Sequence, residues 1–235
     1  MNLILLFDND FADDQRVRLA GRRLEHVTHV HRAAVGDALI VGVLDGRIGK
    51  GEVTHLDRDA LEMRVTLTED PPPPLPLTLV LALPRPKVLN RVIAGATSLG
   101  VKRIVLINAW RVEKSYWKSP RLAEENLLSQ RHLGLEQARD TILPTIEIHR
   151  FFRAFAEVTL PPLALASLAL VAHPRAADEC PRAVEGPVTL IVGPEGGFIE
   201  DEIASLERAG VRAVGLGPRI LRVETAVPSL IARLL

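Results

Sequence analysis

In this 235-residue chain, the residues best suited to chemistry lie in two glycine-bearing turns toward the C-terminus. The first reads Gly193-Pro194-Glu195-Gly196-Gly197-Phe198, and the second runs from Leu216-Gly217-Pro218-Arg219 through Ile220-Leu221-Arg222 to Val223-Glu224-Thr225. A Gly-rich turn between a strand and a helix can bring backbone N–H groups up to a ligand. The first turn is not a phosphate loop: it has no Lys followed by Ser or Thr, its spacing is not that of a dinucleotide fingerprint, and Glu195 would repel a pyrophosphate. A phosphate-free or cationic ligand fits it better. The same glycines also fit a tight structural turn with positive φ at Gly196 or Gly197. The second turn exposes backbone at Gly217-Pro218 and adds two arginines three residues apart, Arg219 and Arg222, with Glu224 just beyond. Those charges read as ligand contacts or as surface charge and helix-end electrostatics.

Each turn must be positioned by the elements around it. A short β-branched run precedes the first turn (Val188–Val192), and another precedes the second (residues 211–216); an amphipathic helix follows each. The first of these helices opens on Glu200-Asp201-Glu202, carboxylates that suit the positive end of a helix dipole. For the second, Thr225 is a plausible N-cap, with Pro228 in the first turn, where a missing N–H is harmless. Strand, Gly turn and helix, repeated, predict parallel strands ending side by side, with a ligand crevice between the two turns at their carboxyl edge.

Upstream, residues 77–83, 103–108 and 145–149 read as strands, alternating with helices over 86–99 and 121–138, so residues 77–235 are an α/β domain with a mainly parallel sheet. Residues 163–172 are ambiguous, with a strand favoured next to His173-Pro174; residues 180–187 read as a loop. Pro71-Pro72-Pro73-Pro74-Leu75-Pro76 is a stiff spacer that cannot continue a strand ladder, and residues 71–76 form the expected linker. Residues 1–70 alternate in short apolar and polar runs (38–43, 48–56, 60–67) around Asp45-Gly46-Arg47, a hairpin signal, and Arg58-Asp59, which predicts a small antiparallel β-barrel.

With 47% hydrophobic residues the chain has a sizeable core available. Lys plus Arg and Asp plus Glu both total 29, which by itself argues against nucleic acid. The distribution argues the other way. Residues 85–121 carry nine Lys or Arg against the single acid Glu113, and residues 122–207 carry six Arg against fourteen acids. Within the basic segment Trp110, Tyr116 and Trp117 interleave with Arg111, Lys114 and Lys118, a pattern suited to single-stranded or loop RNA as well as to core or subunit packing. Residues 16–32 carry five Arg and three His with the single acid Glu25, and read as a partly helical solvated face or an RNA-phosphate surface. The lone Cys180 excludes an intramolecular disulfide and a cysteine zinc cage, so no metal is expected and a reducing compartment, the cytoplasm, is. There is no signal-peptide pattern, and the apolar stretch 160–172 falls short of the ~20 residues a membrane span needs.

The paired motifs GPEGGF (193–198) and LGPRILRVETA (216–226), preceded by HVTHVHRAAVGD (26–37), resemble the ribosomal RNA small subunit methyltransferase E family. The similarity extends over nearly the whole chain: His26, Val30 and Arg32 fit a His-x-x-x-Val-x-Arg pattern, Leu99-Gly100-Val101 the end of a Glu-Leu-Gly-Val segment, and Glu136-Gln137 a Glu-Gln pair. Four places depart from the family pattern: Gly95 and Ser98 stand where a Lys and a Glu are common, Ala138-Arg139-Asp140 follows the Glu-Gln pair, and Val223 replaces a common Thr. The resemblance implies a PUA-like RNA-binding domain and a SPOUT-class domain whose C-terminal segment forms a trefoil knot, an exception to unthreaded connections. It also implies a homodimer that methylates N3 of a uridine in 16S rRNA, free or in the small subunit, with S-adenosylmethionine as donor. The donor carries a sulfonium and no phosphate, which agrees with a Lys-free turn bearing Glu195. On this resemblance His173, Pro174, Gly193, Glu195, Gly196, Gly197, Leu216, Gly217, Ile220 and Leu221 hold the donor. Arg16, Arg32, Arg85, Lys87 and Lys114 hold RNA. Arg219, Arg222 and Glu224 act at the base, the arginines by positioning or anion stabilisation and Glu224 as the group that takes the N3 proton. The alternatives are a ribose 2′-O methyltransferase of the same class and a non-catalytic RNA-binding assembly factor.

Overall fold

Runs of Val, Ile and Leu bounded by Gly, Pro and Asp become the strands of two separate sheets, described by a computed structural model for residues 2–235. The chain divides into two compact units, one comprising residues up to Pro73 together with His132–Leu143, the other Pro74–Arg131 with Pro144–Leu235. Residues 132–143, expected in the C-terminal domain, thus cluster with the N-terminal unit.

In the N-terminal unit, β1 (Ile4–Leu6), β2 (Arg16–Leu19), β3 (Ala38–Val43), β4 (Ile48–Leu56) and β5 (Leu61–Glu69) form one sheet in the order β1-β3-β4-β5-β2. The expected hairpin is present: β3 and β4 pair antiparallel across a turn in which Asp45 takes a φ of 56°. β1 runs parallel to β3, so the sheet is not wholly antiparallel as expected. It is a half-barrel with β1 and β2 as its margins. β2, β4 and β5 largely alternate buried and exposed positions, and Ile4, Leu6, Val17, Leu19, Val41, Leu61 and Met63 make the core on one face. The basic segment is strand in its first residues and helical only from α1 (Arg22–His26), which runs into a π-turn.

The other unit carries β6 (Leu77–Ala82), β7 (Arg103–Ile107), β8 (Thr145–His149), β9 (Leu168–Ala172), β10 (Val188–Val192) and β11 (Arg212–Val214), all parallel, in the order β11-β9-β10-β6-β7-β8. Helices α2 (Pro86–Ser98), α3 (Glu124–Ala138), α4 (Phe152–Ala154), α5 (Leu160–Leu165), α6 (Glu200–Arg208) and α7 (Val223–Leu234) connect or flank these strands; α3 passes from one unit into the other. Every residue of β10 is buried, as a central parallel strand covered on both faces requires. The ambiguous stretch resolves into α5 followed by β9.

Three further expectations need correction. The strands ahead of the two Gly turns, β10 and β11, are not neighbours, because β9 is hydrogen-bonded to both and lies between them. A 163–172 segment with only five strand residues gave no local sign that it would take that place. The helix expected from residue 121 begins at Glu124, since Ser119 accepts a hydrogen bond from the Arg121 N–H and closes a short 3-10 turn first. Thr225 is not an N-cap: α7 starts at Val223 with Arg222 as its cap residue, and Pro228 sits inside the helix. The Thr225 N–H is already turned toward the Arg222 carbonyl at 2.9 Å, so residue 225 is within the first turn.

Candidate active site

Register brings the relevant loops to one edge of the parallel sheet. Val192 pairs with Ala172, and Ala172 with Val214, so the residues after β10, β9 and β11 emerge in a row: Gly193, His173 and Gly215. Leu81 pairs with Val192 and Ala82 with Ile107, which brings the loop after β6, with Arg85 and Lys87, and the loop after β7, with Trp110 and Arg111, to the same edge. Ligands of open α/β sheets bind at this carboxyl edge.

The first turn is held from several sides. Gly197 adopts a φ of 70°, as the sequence anticipated for one of the two glycines, and its N–H donates to the Pro194 carbonyl at 2.8 Å. A Cβ on Gly193 would meet the Phe198 ring at 3.2 Å, and one on Gly196 would meet the Arg111 side chain at 3.1 Å, so a methyl at either place fits only if that side chain gives by a few tenths of an ångström. Arg111 Nη1 donates to the Gly196 carbonyl at 2.6 Å. Glu195 Oε1 accepts from the Arg85 backbone N–H at 3.0 Å and ties the turn to the start of α2.

Glu202, read from the sequence only as one of three helix-dipole carboxylates, is 6% exposed. One oxygen accepts from the Ile199 N–H at the start of α6 at 3.0 Å, and the other from the Trp110 N–H at 2.7 Å. Its place three residues after Ile199 is the capping-box spacing and could have flagged the first bond; the second crosses to a distant loop and had no local signal.

Between α2 and the start of α7 lies a cleft of about 710 Å³ lined by Arg85, Lys87, Arg91, Tyr116, Glu195, Arg222 and Glu224, among others. Four cations face two carboxylates, and one of the carboxylates is already hydrogen-bonded to Arg85. Glu224, 21% exposed in its side chain, stands 3.9 Å from Arg91 Nη1. Arg91 was not among the expected site residues, and Tyr116 only as one aromatic of the basic segment; Arg91 lies one helical turn beyond Lys87, a spacing that puts both on one face of α2. A cleft of this charge suits an anion-bearing partner such as an RNA strand.

Of the expected residues, the cleft gathers Arg85, Lys87, Glu195, Arg222 and Glu224. Of the expected donor residues it takes only Glu195; His173, Pro174, Gly193, Gly196, Gly197, Leu216, Gly217, Ile220 and Leu221 lie on the three loops of the adjoining sheet edge. The His173 N–H donates to the Val214 carbonyl at 2.9 Å, which locks the β9 end to β11, and Gly217 takes a φ of 99°. Arg219 and Ile220 are exposed and outside the cleft, as is Lys114 on its 3-10 turn. In the N-terminal unit, Arg16 pairs with Asp13 at 2.6 Å, Arg22 with Glu136 at 3.1 Å and Arg23 with Asp10 at 2.5 Å. Much of that basic segment is therefore neutralised within the unit, while Arg32 is exposed with a φ of 51°. Among the described residues no group of three or more His, Cys, Asp and Glu could hold a metal ion, and no helix is long and apolar enough to cross a membrane.

Residues 71–235 match the model of a family described as an RNA methyltransferase domain. A ribosomal RNA small subunit methyltransferase E of Mycobacterium bovis is 30% identical over 86% of this chain and 79% of its own length. The protein of the same name from Treponema pallidum is 29% identical over 96% of this chain and 87% of its own. In three dimensions the chain is similar to the crystal structure of a ribosomal RNA small subunit methyltransferase E from Neisseria gonorrhoeae bound to S-adenosyl methionine, with a TM-score of 0.76 and 24% identity over 99% of this chain and 95% of that one.

Proposed function

Because the chain belongs to the ribosomal RNA small subunit methyltransferase E family, we propose that it transfers a methyl group from S-adenosylmethionine to N3 of a uridine in 16S rRNA. The observation that carries this reading is the meeting of Glu195, Arg222 and Glu224 in one cationic cleft beside the carboxyl edge of a parallel sheet. The donor set fits S-adenosylmethionine. Three level strand ends present a row of backbone-rich loops, and the charged side chain of the first turn is a carboxylate with no lysine beside it. The loops after β9, β10 and β11 would hold the donor, which supplies an electrophilic methyl on a sulfonium.

The chain's own residues do the rest. Arg85, Lys87 and Arg91 draw the strand's phosphates into the cleft. Arg222 faces the negative charge that develops on the uracil oxygens as the imide proton leaves. Glu224, at the start of α7 and opposite Arg91, takes that N3 proton. Arg219, on the exposed second turn, holds a flanking phosphate. N3 lies on the pairing edge of the base, so the target uridine must be unpaired or extruded. Fixing two reactants in a near-attack geometry can supply roughly 7–11 kcal/mol of barrier reduction.

The reading includes a PUA-like N-terminal half-barrel, a SPOUT-class second domain from about residue 77, a cytoplasmic enzyme and a homodimer. A C-terminal trefoil knot belongs to the same reading; the order β11-β9-β10, in which the chain passes over β9 between β10 and β11, is a crossover such a knot needs and one that unthreaded doubly wound sheets also make. Incubation of 16S rRNA with the protein and labelled S-adenosylmethionine, followed by nucleoside mass spectrometry, is the test. Labelled 3-methyluridine is expected, and a ribose 2′-O-methyl product or none would overturn the assignment. Glu224→Gln should lower the single-turnover rate by about a hundred-fold or more; an unchanged rate removes it as the base.

A further inference from the structure

We propose that Trp110 is a stacking platform for an unpaired base of the RNA substrate, held beside the Gly193–Gly197 turn by Glu202 and Arg111. The inference rests on the proposed function and extends it to a residue that does not line the cleft. Trp110 is 79% exposed, while its flanks are fixed: Ala109 is 3% and Val112 7% exposed. Its backbone N–H is bound by the buried Glu202 carboxylate at 2.7 Å, the next residue clamps the Gly196 carbonyl, and the Val112 N–H donates to the Ala109 carbonyl at 3.0 Å. A large indole held out into solvent on a pinned loop is the arrangement of a preorganised contact, because little further ordering is needed when a ring stacks on it.

Trp117 makes the contrast. Its indole N–H donates to Asn108 Oδ1 at 2.9 Å and the Arg150 guanidinium lies 5.4 Å from its ring centre, so that side chain is engaged within the protein. Trp110 has no such partner among the described residues. The residues that follow it in sequence favour nucleic acid over a protein face: Arg111, Lys114 and Lys118 are exposed with Glu113 the one acid among them, while the exposed acids Glu200 and Asp201 belong to the α6 turn whose Glu202 holds the Trp110 N–H. Cations that track phosphates with an aromatic face between them are the elements of sequence-tolerant single-strand binding. The chemistry calls for such a face, since drawing one base out of a stack uncovers the faces of its neighbours.

The chain has two tryptophans, so Trp117→Phe leaves Trp110 as the sole indole. Titrating that variant with oligouridylate, and with 16S rRNA, should quench its emission. Trp110→Ala should weaken binding of both RNAs roughly ten-fold, Trp110→Phe should restore most of it, and S-adenosylmethionine affinity by calorimetry and the urea midpoint should stay unchanged. Affinity of Trp110→Ala within two-fold of the parent overturns the proposal. So does a parent protein that binds neither RNA, or a Trp110→Ala protein that sediments as a smaller species with unaltered RNA affinity, which would assign the indole to contact with a second copy. Failure of the methyltransferase reading appears elsewhere, as absence of 3-methyluridine or of donor binding in the parent protein.

Discussion

The two glycine turns have similar sequence grammar and opposite mechanical support. In the Gly193–Gly197 turn the Gly196 carbonyl accepts from Arg111 and Glu195 ties the turn to the start of α2, while Glu202, just beyond it in α6, joins the Ile199 N–H to the Trp110 N–H next to Arg111; Phe198 is 5% exposed. Among the described residues the second turn is hydrogen-bonded at its two ends. Gly215 exchanges backbone hydrogen bonds with the 178–180 segment, its N–H donating to Asp178 and its carbonyl accepting from Cys180, and Arg222 accepts from the first N–H groups of α7. Between them, Pro218, Arg219, Ile220, Leu221 and Arg222 are exposed, and none of their side chains makes a hydrogen bond among the described residues. On the proposed function the difference has a reason: a turn that presents backbone atoms to the donor needs one geometry, and a turn whose arginines meet RNA arriving from solvent needs freedom to adjust.

The sharpest way to break this comparison is Glu202→Ala. It leaves the Ile199 and Trp110 N–H groups without their charged acceptor in a buried place, and should cost about 3 kcal/mol, read as a lower urea midpoint at unchanged slope. A loss below about 1 kcal/mol would mean that the first turn is not held as described. Gly193→Ala should follow at about 1–2 kcal/mol, because the added methyl meets the Phe198 ring at 3.2 Å and that ring is buried; stability equal to the parent's would show that the ring can withdraw.

Cys180 offers a probe of the second turn's support. Burial pushes its thiol above the usual cysteine range, opposed in part by Arg233 and Arg212, and its backbone N–H holds the Gly215 carbonyl. Native protein should therefore react slowly with a thiol reagent, through an opening of the 178–180 segment that requires less free energy than global unfolding and is insensitive to Glu202→Ala. Reaction only at the global unfolding rate would erase the difference between the turns. The smallest effect is expected for Arg219→Ala, within about 0.5 kcal/mol of the parent stability, since the side chain is exposed and makes no hydrogen bond among the described residues; on the proposed function, methyl transfer should fall all the same. A substantial loss of stability would place Arg219 in the fold's support.

Much of this fold could be read along the chain. Residues 38–43, 48–56, 145–149 and 188–192 are strands with the expected ends, because a β-branched run bounded by turn residues is a local signal. The prolines at 71–74 coincide with the division between the units at Pro73 and Pro74, since no ladder continues through them. The positive φ in the first turn falls on Gly197, one of the two residues able to adopt it freely. What the sequence determined by itself was therefore the local grammar: strands, turns, the absence of phosphate-loop chemistry, and a basic segment studded with aromatics.

The tertiary structure alone decided the rest. Which strand lies between β10 and β11 depends on pairing energies between segments far apart, and β9 carries no residue that announces its neighbours. Grouping of 132–143 with the N-terminal unit follows from packing of Leu135 and Leu143 with Leu3, Leu5 and Ile48, contacts that no window of the sequence contains. Arg91 joins the cleft because α2 lies beside the start of α7, and Glu202 reaches a backbone N–H 92 residues away. Hydrogen bonds and burial act through space, so a pattern read along the chain can name the residues able to make a site, while only the packed sheet determines which of them meet.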